Sequence, residues 1–280
     1  MRETHDKDAF DISADAFDII RKILKNSKGF DLDIYKEKCI RRRIAIRIRA
    51  TRCATAEEYG ELLRHSIDEM DLLLKVLTIH VSQFFRNPPT FEKLRTEIIP
   101  YLLKVRGSAE RDRLTFWSVG CASGEEPYSL ALILKDSFPA EVARERVSIL
   151  ATDVDTTILN VARLGIYGEE RLPEAPEAIK QRWFSREEGK YHLLPEIKAM
   201  VDFKKSDLSC RDSFPESDLI LCRNVLIYFE RRQQEKILNG FADVLRKNGI
   251  LVLGKSETLF GEIRTRFQTV CPIERIYRVI

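Results

Sequence analysis

The sequence lacks any apolar run approaching the about 20 residues that a transmembrane helix needs. Its first residues are polar and lack the apolar core of a secretory signal peptide. Its six cysteines form no C-x-x-C pair and its histidines are not clustered, which argues against a zinc site or a disulfide framework. We therefore expect a cytoplasmic protein with reduced thiols, no metal and no membrane insertion.

The sequence also lacks a strong excess of either charge, because 47 Lys and Arg residues face 44 Asp and Glu residues. The net charge of +3 therefore indicates no partner by itself. A length of 280 residues and a hydrophobic content of 44% allow one large domain or two smaller ones with a sizeable core.

Residues 1–90 are predicted to form an all-helical domain, because they show helical periodicity without strand alternation. In the second helix Ile40, Ile44 and Ile48 are spaced to share one buried face. Ser13 is a candidate N-cap of the first helix. The predicted helices of this domain are Ala14–Lys25, Asp33–Ala50, Ala56–Arg64 and Met70–Leu77. Pro88-Pro89 then breaks the pattern, and a further helix, Phe91–Val105, follows.

Residues 91–280 are predicted to form an α/β domain with a Rossmann-like, parallel sheet, because short apolar runs alternate with helices. The predicted strands are Leu114–Val119, Val147–Ala151, Leu219–Cys222 and Ile250–Leu253, and the predicted helices are Glu125–Asp136, Thr156–Arg163 and Arg231–Arg246. Residues 171–203 read as a small inserted β subdomain with a turn near Gly189. The final residues, from Ile273, predict a strand that pairs with Thr265–Thr269.

The turn Ser118–Ser129 is the most informative motif. Gly120 and Gly124 lie between a strand and a helix, where glycine lets a ligand approach the backbone. Glu125 and Glu126 would repel a phosphate and attract a cation or ribose hydroxyls. The motif therefore suits a positively charged nucleoside such as S-adenosylmethionine, and the alternative is a purely structural turn.

Other candidate residues have plain structural alternatives. Asp153 ends a predicted strand, where a carboxylate often binds a ribose, although it could instead cap the next helix. Asn224 follows another predicted strand. From the pattern alone, Tyr228 is more typical of a core aromatic, and Arg86 of a surface cation with a packed stem.

Five segments together resemble the CheR family of chemoreceptor glutamate methyltransferases: Thr78–Phe91, Ser118–Ser129, Asp153, Asp207-Leu208 and Leu221–Phe229. The resemblance covers nearly the whole chain. It implies a class I methyltransferase that uses S-adenosylmethionine, releases S-adenosylhomocysteine and esterifies glutamates of receptors for sensory adaptation. The competing hypotheses are a nucleic-acid methyltransferase and a non-catalytic module that binds the cofactor.

The resemblance also implies roles for individual residues. Arg86 and Tyr228 would lie beside the reactive methyl group. Ser82 stands where the family usually has Thr, and His80 where Asn is often found. The cofactor-binding set implied by the resemblance is His80, Ser82, Arg86, Gly120, Glu125, Asp153, Asp207, Leu208, Asn224 and Val225.

The second predicted helix is rich in arginine, which has three interpretations: a solvated face, a nucleic-acid contact or a docking surface. No aromatics interleave with the arginines, which disfavours single-stranded nucleic acid. The resemblance favours docking on the methylation helices of a receptor, through Arg42, Arg43, Arg47 and Arg49. The turn Ser185–Lys190 of the β insertion is short, which favours a member that needs no receptor tail peptide. Separately, we expect a monomer.

Overall fold

The computed structural model describes residues 12–78, 81–106 and 113–280, and the chain divides into two compact units. One unit comprises the described residues of Met1–Ile79 together with Tyr228–Gln233. The other comprises the described residues of His80–Ile227 together with Gln234–Ile280. Among the described helices, none combines the length and the apolar character that crossing a membrane requires.

The first unit is helical. Its helices are α1 (Ala14–Lys28), α2 (Glu37–Thr51), α3 (Ala56–His65) and α4 (Ile67–Leu77). Ser13 caps α1 as predicted, since its hydroxyl accepts a hydrogen bond from the Ala16 N–H at 3.1 Å. The predicted stripe of Ile40, Ile44 and Ile48 on α2 is buried, which confirms the helical period of that segment.

Helix α2 begins at Glu37, four residues later than predicted. Leu32–Ile34 instead forms a 3-10 turn. The carboxylate of Asp31 caps this turn by accepting a hydrogen bond from the Asp33 N–H at 3.0 Å. Tyr35 then takes an extended conformation, which separates the turn from the helix.

The second unit is an α/β unit, and its fold class is the one predicted. Its elements, in chain order, are α5 (Pro88–Lys93), α6 (Ile99–Arg106), β1 (Leu114–Val119), α7 (Glu125–Ser137), α8 (Pro139–Ala143), β2 (Val147–Asp153), α9 (Thr156–Leu164), β3 (Ile166–Tyr167), α10 (Glu177–Trp183), β4 (Phe184–Glu187), β5 (Lys190–Leu193), α11 (Pro195–Lys198), β6 (Val201–Lys205), β7 (Ser217–Cys222), α12 (Arg231–Val244), β8 (Leu245–Leu253), β9 (Phe267–Cys271) and β10 (Ile276–Val279). A π-helical turn, Leu94–Ile98, joins α5 to α6.

The main sheet has the strand order β6-β2-β1-β7-β8-β10-β9. Strands β6, β2, β1, β7 and β8 run parallel, whereas β10 is antiparallel to both β8 and β9. The central strands are almost continuously buried because helices cover both faces of a parallel sheet. The predicted terminal hairpin is therefore confirmed as β9 and β10.

Strand β6 was not predicted from the sequence. Only Val201 and Phe203 are buried in it, and charged residues alternate with them. As an edge strand, β6 is half exposed, so it lacks the continuous apolar run that marks the central strands.

A second, three-stranded antiparallel sheet has the order β3-β5-β4. Its hairpin turns at Glu188 and Gly189, which both have positive φ, of 48° and 76°. Two positive φ values are typical of the two-residue turns that match strand twist. The β4–β5 hairpin and its turn lie within the predicted insertion, residues 171–203, whereas β3 precedes that range and the last residues of the range belong to β6 of the main sheet.

Asp155 provides a test of the local structure beside the sheet. Its carboxylate accepts hydrogen bonds from the Thr157 and Ile158 N–H groups at 2.8 and 3.4 Å, and so caps α9. We expect Asp155→Ala to lower the free energy of unfolding by about 1 kcal/mol in urea titrations. The matched change at the exposed Asp202 should stay within about 0.5 kcal/mol. Equal losses in the two variants would mean that the cap does not stabilise the helix.

Candidate functional site

Polar groups collect where neighbouring strands of the α/β unit end. The turn Gly120–Glu125 follows β1, Asp153 ends β2, and Asn224 follows β7. Because β2, β1 and β7 are adjacent and parallel, their carboxyl ends meet at one edge of the sheet. Asp207 and Leu208 follow β6, so they lie at the same edge. The structure therefore brings together most of the predicted cofactor-binding set.

Gly120 and Gly124 allow a tight turn at this edge. Gly120 has a φ of +61°, and a Cβ there would lie 2.6 Å from Cγ2 of Val225. Gly124 has a φ of +91°, and its Cβ would lie 3.1 Å from Cβ of Ala162. A side chain would be strained at either position because the backbone is left-handed, and at Gly120 it would also clash with Val225.

Glu125 is completely buried at the start of α7. Its Oε1 accepts a hydrogen bond from the Ser123 hydroxyl at 2.6 Å and lies 3.3 Å from the guanidinium of Arg171. Its Oε2 is buried and has no hydrogen-bond partner among the described residues. Burial raises the pKa of Glu125, and the contacts with Ser123, Arg171 and Ser82 oppose that rise.

Asp153 is buried and holds the turn after β1 against the end of β2. Its Oδ2 accepts a hydrogen bond from the Ala122 N–H at 3.0 Å, and its Oδ1 accepts one from the Asp155 N–H at 3.1 Å. The cap of α9 is Asp155, so the alternative role considered for Asp153 falls to its neighbour.

Asn224 has a φ of +61°, a left-handed conformation that Asn adopts more readily than most residues. Its Oδ1 is buried without a hydrogen-bond partner among the described residues, as is Oε2 of Glu125. Two buried acceptors without donors at one sheet edge fit a ligand that carries N–H or O–H groups. The described residues hold no cluster of three or more metal-ligating side chains.

Arg86 lies in the segment before α5 and is half-buried. Its guanidinium donates to the Val81 carbonyl at 3.1 Å. The N–H of the preceding residue, Phe85, donates to the Ser129 hydroxyl on α7 at 2.9 Å. Ser82, in the same segment, is half-buried, and the predicted contact residue His80 lies outside the described residues.

The sequence places Arg223 at this edge together with Asn224 but indicates no role for it. Its side chain is 2% exposed and donates to the Arg86 carbonyl at 2.7 Å and to Oδ1 of Asn87 at 2.9 Å. It also forms an ion pair with Glu126 at 3.2 Å. Arg223 therefore fixes the backbone that carries Arg86. Its position next to Asn224 was the only signal in the sequence.

Tyr228 belongs to the helical unit, whereas Arg86 belongs to the α/β unit. The Lys36 N–H donates to the Tyr228 carbonyl at 2.8 Å. The guanidinium of Arg43 lies 5.7 Å from the centroid of the Tyr228 ring. Tyr228 is half-buried, so it is not the fully buried core aromatic that the pattern alone favours.

The four arginines predicted to dock a partner divide into two pairs. Arg42 and Arg49 are exposed. Arg43 instead donates to the Val76 and Leu77 carbonyls at 2.7 and 3.1 Å. Arg47 binds both carboxylate oxygens of Glu69, at 2.9 and 2.6 Å. Arg43 and Arg47 each precede a buried isoleucine on α2, so they border the buried stripe and bind within the unit.

Comparison with known proteins gives matches along most of the chain. Residues 15–78 match the model "CheR methyltransferase, all-alpha domain", and residues 80–274 match "CheR methyltransferase, SAM binding domain". A chemotaxis protein methyltransferase of Borreliella burgdorferi is 35% identical over 257 residues, which cover 89% of this chain and 90% of that protein. A chemotaxis protein methyltransferase of Listeria innocua is 36% identical over 240 residues, covering 86% and 88%.

The raised pKa of Glu125 gives a testable pH dependence. Ionisation of Glu125 costs stability above its folded pKa, and that cost disappears as the pH falls through this pKa. A cofactor that donates hydrogen bonds to the carboxylate binds the ionised form best, so its affinity falls as the pH falls. We expect calorimetry to show weaker S-adenosylhomocysteine binding as the pH falls from about 8 to about 5.

The variant Glu125→Gln is the control, because it is neutral at every pH. It should bind weakly and with little pH dependence over the same range. An unchanged pH dependence in this variant would assign the titration to another group.

Proposed function

The chain belongs to the CheR methyltransferase family, and we propose that it transfers the methyl group of S-adenosylmethionine to glutamate side chains of chemoreceptors, giving glutamate methyl esters. The homologous chemotaxis methyltransferases support S-adenosylmethionine-dependent methylation in chemotaxis. The choice of glutamate as acceptor rests on the residues of this chain.

The sheet edge fits the cofactor. Two of its buried acceptors, on Glu125 and Asn224, have no partner among the described residues and suit a molecule with amino and hydroxyl donors. Its carboxylates suit a positive charge. When bound, S-adenosylmethionine supplies an electrophilic methyl group on a sulfonium. In our proposal Glu125, Asp153 and Asn224 hold it, and the remaining contacts come from Ser82, Gly120, Asp207, Leu208 and Val225.

The acceptor needs no strong base. A glutamate side chain has a reference pKa of about 4.3 and is already ionised at neutral pH. The protein must therefore orient the carboxylate rather than deprotonate it. We assign this task to Arg86, whose guanidinium can hold one carboxylate oxygen. The role of Tyr228 stays a prediction from the family resemblance. Too strong a grip would lower the nucleophilicity of the carboxylate.

The observation that carries the acceptor assignment is the exposed face of α2. Arg42, Ile46 and Arg49 are spaced four and three residues apart, so they share one helical face. Ile46 is 48% exposed, and both arginines are exposed. A face with two cations around an apolar residue complements an amphipathic acidic helix, and the family resemblance implies that the methylation helices of a receptor dock there.

We also propose that the protein acts in the cytoplasm as a monomer and does not need the tail peptide of a receptor. The two-residue turn of the β4–β5 hairpin supports the last point, since it leaves little loop for a peptide to contact. Nucleic acid is not a proposed partner.

Labelled methyl transfer to membranes that contain the host's chemoreceptors tests the proposal. We expect label that mild alkali releases as methanol, which identifies a carboxyl ester, and we expect it to persist with receptors that lack their tail. Arg86→Lys should lower kcat by about 10²-fold, because the fork geometry of the guanidinium is lost. Alkali-stable label in nucleic acid, or an equally fast Arg86→Lys enzyme, would contradict the proposal.

A second test compares the exposed arginines of α2, Arg42 and Arg49, with Arg47, which binds Glu69. Replacing Arg42 and Arg49 together with Ala should raise KM for receptor by about tenfold at low salt. Arg47→Ala is the matched control. It should instead destabilise the helical unit by about 3 kcal/mol, because Glu69 is 6% exposed and would lose its cation. A low-salt KM unaffected by the double variant would exclude the α2 face as the docking surface.

A further inference from the structure

We propose that Glu257 is a positioning residue that holds the Asn224–Ile227 segment in the conformation that binds the cofactor. The inference deepens the cofactor part of the proposed function and rests on it. Glu257 follows β8 and does not belong to the proposed cofactor-binding set.

Glu257 is 5% exposed and its carboxylate binds backbone only. Oε2 accepts hydrogen bonds from the N–H groups of Asn224 at 2.9 Å and Gly254 at 2.6 Å. Oε1 accepts from the N–H groups of Val225 at 2.9 Å and Ile227 at 3.3 Å. One side chain thus joins the end of β8 to three residues of the segment that follows β7.

These four hydrogen bonds use the whole acceptor capacity of the Glu257 carboxylate. A carboxylate offers about four lone-pair sites, and backbone N–H groups occupy all of them. Glu257 also forms no ion pair with a cationic side chain among the described residues. It therefore cannot bind the cofactor directly, and it acts through the segment whose N–H groups it holds.

The segment held by Glu257 shapes the site on two sides. Asn224 is in the left-handed region, and the bond from its N–H favours that conformation and the buried position of its Oδ1. Val225 packs directly on Gly120, leaving no room for a Cβ there. A shift of the segment would therefore move both the Asn224 amide and the wall of the glycine turn.

Gly254 lies directly against both Asn224 and Glu257. A Cβ on Gly254 would lie 2.7 Å from the Asn224 nitrogen and 2.7 Å from Oε2 of Glu257. Distances that short exclude any side chain at this position. The absence of a Cβ allows the end of β8, the carboxylate and the Asn224 backbone to meet.

The test compares Glu257→Gln with Glu274→Gln. Glutamine keeps the size of Glu257, but whichever way its amide turns, the NH2 group faces two N–H donors. Glu274 is a matched control, because it is also buried at 7% exposure but binds side chains, Lys255 and Thr90, rather than the segment. Calorimetric titration with S-adenosylhomocysteine and melting temperatures are measured for both variants and for the parent protein.

We expect Glu257→Gln to weaken S-adenosylhomocysteine binding by about tenfold or more and to raise KM for S-adenosylmethionine, with a smaller change in kcat. The affinity of Glu274→Gln for S-adenosylhomocysteine should stay within about twofold of the parent's, even if its melting temperature falls as much as that of Glu257→Gln. Unchanged affinity in a folded Glu257→Gln protein, or equal losses in both variants, would overturn the inference.

If Glu257→Gln does not fold, Glu257→Asp decides the question. It keeps the charge but withdraws the oxygens by one methylene, so weaker S-adenosylhomocysteine binding is again expected and parental affinity would overturn the inference. Since calorimetry needs no methyl acceptor, the result is independent of whether the acceptor is glutamate. A parent protein that binds the cofactor but methylates no receptor would contradict only the proposed acceptor.

Discussion

The buried ion pair between Arg223 and Glu126 connects three parts of the α/β unit. Arg223 follows β7, Glu126 lies in the first turn of α7, and the same guanidinium holds the Arg86 carbonyl. Their side chains are 2% and 12% exposed, so each charge would be expensive without the other. Burial raises the pKa of Glu126, and the arginine opposes that rise. The pair therefore requires the end of β7, the first turn of α7 and the segment that carries Arg86 to stay close together.

Three acidic residues at this sheet edge, including the partner of Arg223, make different contacts. Glu126 neutralises Arg223, Asp153 accepts backbone N–H groups, and Glu125 keeps one oxygen without a partner among the described residues. Such a concentration of acidic groups is poorly suited to a phosphate. It suits a cofactor that carries positive charge, which agrees with the S-adenosylmethionine-binding family of this domain.

The sequence predicts the central strands and the glycine turn well, because buried parallel strands are continuous apolar runs and Gly120 and Gly124 are required by local backbone geometry. It does not predict Arg223 or Glu257 as contributors, because their partners are distant in sequence: Arg86 is 137 residues from Arg223, and Val225 is 32 from Glu257. Arginine spacing alone also does not separate Arg43 and Arg47 from Arg42 and Arg49. Their partners, on α4, become adjacent only in the folded unit.

Tyr228–Gln233 completes the helical unit although it comes late in the chain. Tyr35 stacks on Phe229 with ring centroids 4.8 Å apart, and the Glu230 N–H donates to the Ile34 carbonyl at 2.9 Å. A ribosome adds roughly 5–20 residues each second, so this segment emerges on the order of ten seconds or more after α4. The last contacts of the helical unit can therefore form only after most of the other unit has been synthesised.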